Sequence, residues 1–344
     1  MKRSYPDISV EKLCRCFGRT RQTYYSSEQV ERRKLAEVDL ILQFIRDARE
    51  RIGSKLGTKK LRKALTDPLE RANIRCGRDR LYGILRDANL LRPRKRGRKP
   101  KLTDSAGWTK KWPDLRLKLE QQGDCILEPE RLWVADITYV TIAPSPSYPK
   151  GRFCFVSLIT DAYSRKIVGY HASYSMHAIK SLKALTRALE QRLYPDRTLC
   201  HHSDRGSQYR ADIYTKTLLN AKVGISMTES GSPYDNALAE SVNGQLKFEY
   251  GLSKVFPNLD AVRFALGDAV NKYNNHRPHG SLDLATPNEV HAHPNKFRTF
   301  EMAWGRLVTL RDQSKKESDK RSPDSSEHDK HLPDNKNPDN DSQD

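Results

Sequence analysis

The sequence predicts an α/β protein: a mixed five-stranded sheet with flanking helices, preceded by α-helical modules of helix-turn-helix-like layout. Three observations carry this. From about residue 131 the chain follows the order βββαβαβα, with short connections between the first three strands. Before residue 92, apolar residues recur at helical spacing and the last predicted helix is basic. Between these regions lies "RPRKRGRKPK", residues 92–101. It is punctuated by proline, seven of its ten residues are basic, and it reads as a linker.

Taken in order, "VEKLCRCFGRTRQTYY" suggests a short helix, a turn at Gly18 and a basic helix, together a first segment over 1–30. Leu35, Val38, Ile41, Ile45 and Ala48 then mark a longer helix. Thr58 is placed to cap "TKKLRKAL", and "GRDRLYGILRDANLL" sets Leu81, Ile84 and Leu85 on one face with Arg78, Arg80 and Arg86 outside it. Residues 31–91 are therefore expected to form a helical DNA-binding domain; the plainer alternative is a small bundle with a solvated basic face. The basic linker is assigned to 92–124. Arg94, Lys95, Arg96, Arg98 and Lys99 in it, with Arg78 and Arg80 before it, are the candidate phosphate contacts.

The sheet-bearing core is assigned to 125–300. "RLWVADITYVTI", "GRFCFVSLITD" and "YSRKIVGYHASY" are predicted as an antiparallel meander. Ile179, Leu182, Leu185, Leu189 and Leu193 mark a helix expected to end at Pro195. "RTLCHHSD" and "GISMT" are further strands separated by one helix over "YRADIYTKTLLNAK". Ser232, Pro233 and Asp235 are written as the cap and first turn of the next helix. Val262, Leu266, Ala269, Val270 and Tyr273 mark another. The extension 301–344 is almost free of apolar residues from about 311, and disorder is predicted there.

The 344 residues carry a formal net charge of +19, which favours a polyanionic partner, nucleic acid before membrane. No apolar run is long enough for a membrane helix, and the first residues lack the apolar core of a signal peptide. The six cysteines are scattered without zinc spacing and are read as reduced thiols of a cytosolic protein. Cys200-His201-His202 is read as a strand end with ordinary packing.

Three acids stand out. Asp136 interrupts the apolar strand "LWVADITYV", where a carboxylate is costly unless paired. Asp204 follows a strand in "HHSDRGSQY", at the end where ligand-binding groups collect in α/β sheets. Glu240 lies in "GSPYDNALAESVNGQLKFE" and shares a helical ridge with Asn236, Asn243 and Lys247, while Leu238, Val242 and Leu246 form the apolar stripe. Taken singly, each has a plainer reading: a sheet edge, a turn, a solvated helix face. Converging, they would repel one another unless a divalent cation lay between them. Mg²⁺ favours such hard oxygen ligands, and two ions can clamp an in-line phosphoryl displacement. Glu249 is expected to support Lys247 or face solvent, and His276, Arg277 and His279 to cap the core.

"WVADITYV", "HSDRGSQY" and "GSPYDNALAESVNGQLKFE" resemble the three catalytic blocks of bacterial insertion-sequence transposases with a retroviral-integrase-like core. The 35 residues between Asp204 and Glu240 match that group's spacing, and "TDAYSRKIVGY" and "YNNHRPHGSLDLATPNEV" resemble two further blocks. The resemblance, in particular to second-reading-frame products of the IS-three family, spans roughly residues 35 to 295. It implies an RNase H-like fold, with Asp136, Asp204 and Glu240 as catalytic and metal-binding residues for two Mg²⁺ ions, Mn²⁺ being able to substitute. It implies cleavage of DNA at element ends by water, then attack of the freed 3′-OH on another phosphodiester, without a covalent protein intermediate. Lys247 becomes a candidate for holding terminal phosphate, and His202 and Asn236 for supporting the site. The expected partners are element-end and target DNA, further copies of the chain on DNA, and an upstream-frame protein or a frameshift fusion with it, in a cytoplasmic, nucleoid-associated setting. The competing readings are a DNA-binding regulator of transposition with an inactive core, and an RNase H-like nuclease or phage integrase.

Overall fold

The structure, a computed structural model, describes residues 6–92, 112–115, 128–228 and 237–297. The candidates Arg94, Lys95, Arg96, Arg98, Lys99 and Asn236, the helix cap at 232–235, most of the linker and the 301–344 extension lie outside these residues.

Helix α1 (Val10–Cys16) is capped by Ser9, whose hydroxyl accepts from Lys12 N–H at 3.3 Å. Gly18, at φ +61°, turns the chain, and Thr20 caps α2 (Arg21–Ile52). Helix α2 runs unbroken through the expected 30/31 boundary, because no Gly or Pro interrupts it. Its apolar stripe becomes core only in the second half: Ile41, Ile45, Ala48 and Ile52 are buried, whereas Leu35 is exposed. Around that half pack α3 (Thr58–Ala64), α4 (Thr66–Arg71) and α5 (Arg78–Asp87), which contribute Leu61, Leu69, Leu81 and Leu85 to one cluster, together with Leu65 at the joint between α3 and α4. Thr58 does not cap α3. Gly57 holds the cap position without a side-chain bond, and Thr58 is already helical.

The sheet comprises β1 (Leu132–Ile142), β2 (Arg152–Asp161), β3 (Ile167–Ser173), β4 (Cys200–Ser203) and β5 (Gly224–Met227), in the order β3-β2-β1-β4-β5. β1, β2 and β3 pair antiparallel; β4 joins β1 and β5 joins β4 in parallel. The expected mixed five-stranded order is present. A sixth strand adds to it, β6 (Val255–Phe256), too short to show alternation in the sequence; it pairs with β1 at Thr141 and Ile142. β4 pairs only Leu132 to Val134 on that same edge. Asp136 therefore lies in a gap between two strand partners.

Alternation along β1 sends Trp133 and Ala135 to one face and Val134 and Val140 to the other. The first face is covered by Ala184, Leu185 and Ala188 of α6 (Ala178–Glu190) and by Tyr214 and Leu218 of α8 (Asp212–Asn220). The second is covered by Val242 and Leu246 of α9 (Ala237–Glu249) and by Val262, Leu266 and Tyr273 of α10 (Leu259–Asn275). Gly169 on β3 lets α6 approach closely: a Cβ there would lie 2.2 Å from the Ala184 carbonyl oxygen. The helix expected over 209–222 is two helices, α7 (Ser207–Arg210) and α8, divided by an extended Ala211 whose carbonyl starts α8.

Helix α6 ends at Glu190, before Pro195, because a buried carboxylate takes the backbone that follows. Glu130 accepts from Leu193 N–H at 2.7 Å, Tyr194 N–H at 3.1 Å and Arg192 Nε at 3.2 Å. His291 of α11 (Pro287–Ala292) lies 3.3 Å from the same carboxylate, and its Nδ1 meets the Ser164 hydroxyl at 2.9 Å. Ser164 in turn donates to Asp161, which also accepts from Glu130 N–H at 2.7 Å and so organises the turn between β2 and β3. Burial would raise the Glu130 carboxyl, but its hydrogen bonds from His291, Leu193, Tyr194 and Arg192 hold it down at about 2. Burial would lower His291, but Asp161 and Glu130 raise it.

The two signs define a window. The depressed carboxyl contributes stability that is complete above its ordinary 4.5 and is lost as pH falls toward 2. The raised imidazole contributes stability that is complete below its ordinary 6.5 and is lost as pH rises through its folded value. Glu130→Gln should therefore cost most between those limits, about 3 kcal/mol. Thermal unfolding across pH should show the variant's deficit shrinking on both sides of that window; a deficit independent of pH would contradict the assignment.

The helical module meets the core at the end of α9. Ser54 Oγ donates to the Glu249 carbonyl at 3.1 Å, and Lys55 and Arg92 lie over the Phe248 ring at 4.5 and 4.8 Å. Glu249 does not support Lys247 or face solvent. It is buried, and its carboxylate takes a bidentate pair of bonds from Arg277 at 2.7 and 3.0 Å. Arg277 also donates to His279 at 2.9 Å; these two are buried against the core as expected, whereas His276 is exposed.

Candidate active site

Val134 of β1 pairs with His202 of β4, and two residues further along each chain stand Asp136 and Asp204. Adjacent strands lie about 4.8 Å apart, so continuing this parallel register sets the two carboxylates side by side on one face. Asp136 Oδ1 accepts from Ile137 N–H at 2.8 Å. Its Oδ2 accepts from the Asn243 amide of α9 at 2.6 Å. Glu240 stands one helical turn before Asn243 on the same ridge. Asp204 turns just past β4, with Oδ1 accepting from Gly206 N–H at 3.0 Å.

Electrostatics records the same grouping. Burial pushes the Asp136 carboxyl up to about 7, and the charges of Asp204 and Glu240 add to the effect against the bonds from Ile137 and Asn243. Asp204 and Glu240 are raised as well, each chiefly by partial desolvation, although both side chains keep contact with solvent. The grouping is thus an uncompensated cluster of hard oxygen donors, which suits a divalent cation in charge and ligand type. Among the described residues, no group of three or more His, Cys, Asp or Glu side chains forms a ready-made metal site. The fit therefore rests on donor chemistry and repulsion.

The other candidates divide. Lys247 reaches back along α9, its ammonium 4.4 Å above the Tyr139 ring and within electrostatic reach of Asp136. His202 is buried beneath the acids. Its Nδ1 is 2.8 Å from Ser226 Oγ, which also accepts from Leu115 N–H at 2.9 Å, so His202 helps hold the 112–115 segment to the sheet. Arg80 is committed to the module's own packing, donating to Glu37 at 2.7 Å and to the Arg75 carbonyl at 2.7 Å. Arg78 is exposed and pairs with neighbouring Asp79 at 3.1 Å. Asn243 is the residue that sequence reasoning left without a role; its place three residues after Glu240, on the same ridge, was the available signal.

A sheet with carboxylates gathered where neither β4 nor β6 pairs its central strand defines an integrase-type core, and comparison with known proteins bears this out. Two models described as Integrase core domain match residues 127–233 and 221–287. The chain is 32% identical to the insertion element IS600 uncharacterized 31 kDa protein of Shigella sonnei, over 80% of this chain and 96% of that protein. It is 39% identical to the transposase for insertion sequence element IS629 of Shigella sonnei, over 47% of this chain and 52% of that protein. The chain belongs to the bacterial insertion-sequence transposases with an integrase core, and its sheet is the RNase H-like one that the resemblance implied. It spans 52% to 61% of the length of several transposases it matches. Among solved structures it is similar to the HTLV-2 integrase catalytic core domain in complex with magnesium, at 15% identity and a TM-score of 0.37, over 48% of this chain and 98% of that chain. Among the described residues no helix is long and apolar enough to cross a membrane.

Proposed function

We propose that this chain is a metal-dependent DNA transposase that cleaves DNA at element ends and joins the freed 3′-OH to a new phosphodiester. The observation that carries this is Asp136, bonded to α9 and raised to about 7 by burial and by the charges of Asp204 and Glu240. Asp136, Asp204 and Glu240 are the residues that would hold the cation, Mg²⁺ or Mn²⁺, one or two ions. When bound it would polarise phosphate oxygens and favour deprotonation of the attacking water or hydroxyl.

The remaining work falls on this chain's own side chains. Asn243 fixes the Asp136 carboxylate by its amide, and the Gly206 N–H fixes Asp204. Lys247, next to the acids, supplies a cation for the phosphate that approaches them. In the first step water oxygen bonds to phosphorus and the 3′ oxygen leaves as a hydroxyl. In the second that hydroxyl attacks another phosphodiester, so one P–O bond forms as one breaks. The helical module over 31–91, with exposed Arg78, and the basic linker over 92–124 would bind the element ends. Copies of the chain would assemble on the paired ends, with an upstream-frame protein or fusion as a further partner.

The test places the gene with its flanking DNA on a plasmid in a bacterial host and amplifies outward across the element. Excised circular junctions or strand-transfer products are expected from the intact chain, supplied where needed with the upstream frame. Their absence under both conditions would overturn the proposal.

A further inference from the structure

Three residues beyond Asp136, β1 presents an exposed aromatic ring. Tyr139 is 57% exposed and Phe153 of β2 is 52% exposed. Their rings pack edge to face with centroids 5.1 Å apart. By alternation both lie on the face that α6 covers elsewhere. Beside them Val255 is also exposed, and Arg152, next to Phe153, stacks on Tyr148 and Tyr174 at 4.2 and 3.6 Å. Water-facing aromatic pairs need a reason, and cations at the rim select an anionic partner over an apolar one. Lys247 links the patch to the acids, because its ammonium sits 4.4 Å over the Tyr139 ring.

We propose that Tyr139 and Phe153 form a stacking site for an unpaired nucleobase of the DNA strand whose phosphate lies at Asp136, Asp204 and Glu240. This rests on reading those acids as the reacting centre. Tyr139 lies about 10 Å along β1 from Asp136 and, by alternation, on the opposite face; Lys247 spans the two past the stretch of β1 edge that neither β4 nor β6 pairs, which is the path a base next to that phosphate would take. Every base offers a π-face, so such a site is tolerant of sequence. The contact between Lys247 and the Tyr139 ring is exposed and weak, so an arriving phosphate draws the ammonium away and frees the ring. The patch would then hold the strand end open beside the acids.

The test measures binding by the full chain with Ca²⁺ in place of Mg²⁺, so the acids keep an oxygen-ligated cation for the phosphate. The probe is a forked duplex carrying the gene's own flanking sequence, with 2-aminopurine at successive positions of its single-stranded arm. The intact chain should quench one or two positions. Tyr139→Ala and Phe153→Ala should abolish that quenching and weaken fork binding by about tenfold, leaving fully paired DNA bound as before. Tyr139→Phe keeps the π-face and should behave as the intact chain, which guards against misfolding. Absence of quenching at every position with the intact chain would overturn the proposal. So would alanine variants that bind the fork normally but sediment as smaller species, because the patch would then join copies of the chain. The readout is independent of catalysis: a Glu240→Gln chain that still makes product would defeat the reading of the acids while leaving this result intact.

Discussion

Glu240→Gln should lower excised and joined DNA products by on the order of a thousandfold, while leaving folding and DNA affinity unchanged. Glu240 is exposed on α9, outside the apolar stripe of Val242 and Leu246. An isosteric change at such a surface position alters stability by roughly 0.5 kcal/mol or less. The loss falls instead on the reaction. A bound cation supplies several kcal/mol of transition-state stabilisation, and each 1.36 kcal/mol is worth about tenfold in rate. Quantitative amplification of junctions, beside gel-shift and thermal-unfolding measurements on the same variant, separates these effects. Product within tenfold of the intact chain would remove Glu240 from catalysis.

The largest effect on stability is expected at Arg277. Arg277→Met strips the buried Glu249 carboxylate of its bidentate partner, and should cost about 3–5 kcal/mol because the remaining charge is left desolvated. At roughly 2–4 °C per kcal/mol, the melting temperature should fall by about 10 °C. The double variant Glu249→Met/Arg277→Met removes both charges and should recover most of the loss. The pair lies at the end of α9, where Ser54 of the helical module and Arg92 at the start of the linker also meet Glu249, so the single variant should make that junction more open to proteases. A double variant no more stable than the single one would show that packing, and not a buried carboxylate left without its bidentate partner, sets the cost.

How much of this was legible depended on how local each cause was. The strands around Asp136 announced themselves by alternation, and the acid by its cost in an apolar strand. The continuity of α2 was legible too: nothing between Arg21 and Ile52 breaks a helix, and the boundary at 30/31 had no chemical basis. Helical phase gave the direction of Glu249 relative to Glu240, but not what lies beneath it. Its partner Arg277 arrives 28 residues later, after another helix. The Glu130 carboxylate joins residues 63 and 161 positions away, and no spacing rule reveals such a partner set. Asn243 stood on the right ridge, but periodicity treats every polar position on a ridge alike. Only the fold shows which one touches Asp136.

The central claim is that these carboxylates act by ligating a cation, and Asp204→Cys tests it most directly with purified chain and its own flanking DNA. Thiolate is a poor ligand for Mg²⁺ and an acceptable one for softer ions. The variant should be inactive with Mg²⁺ and regain joining when Mn²⁺ replaces it, while Asp204→Asn stays inactive with both. Joining by Asp204→Cys or Asp204→Asn in Mg²⁺ at the rate of the intact chain would contradict the account.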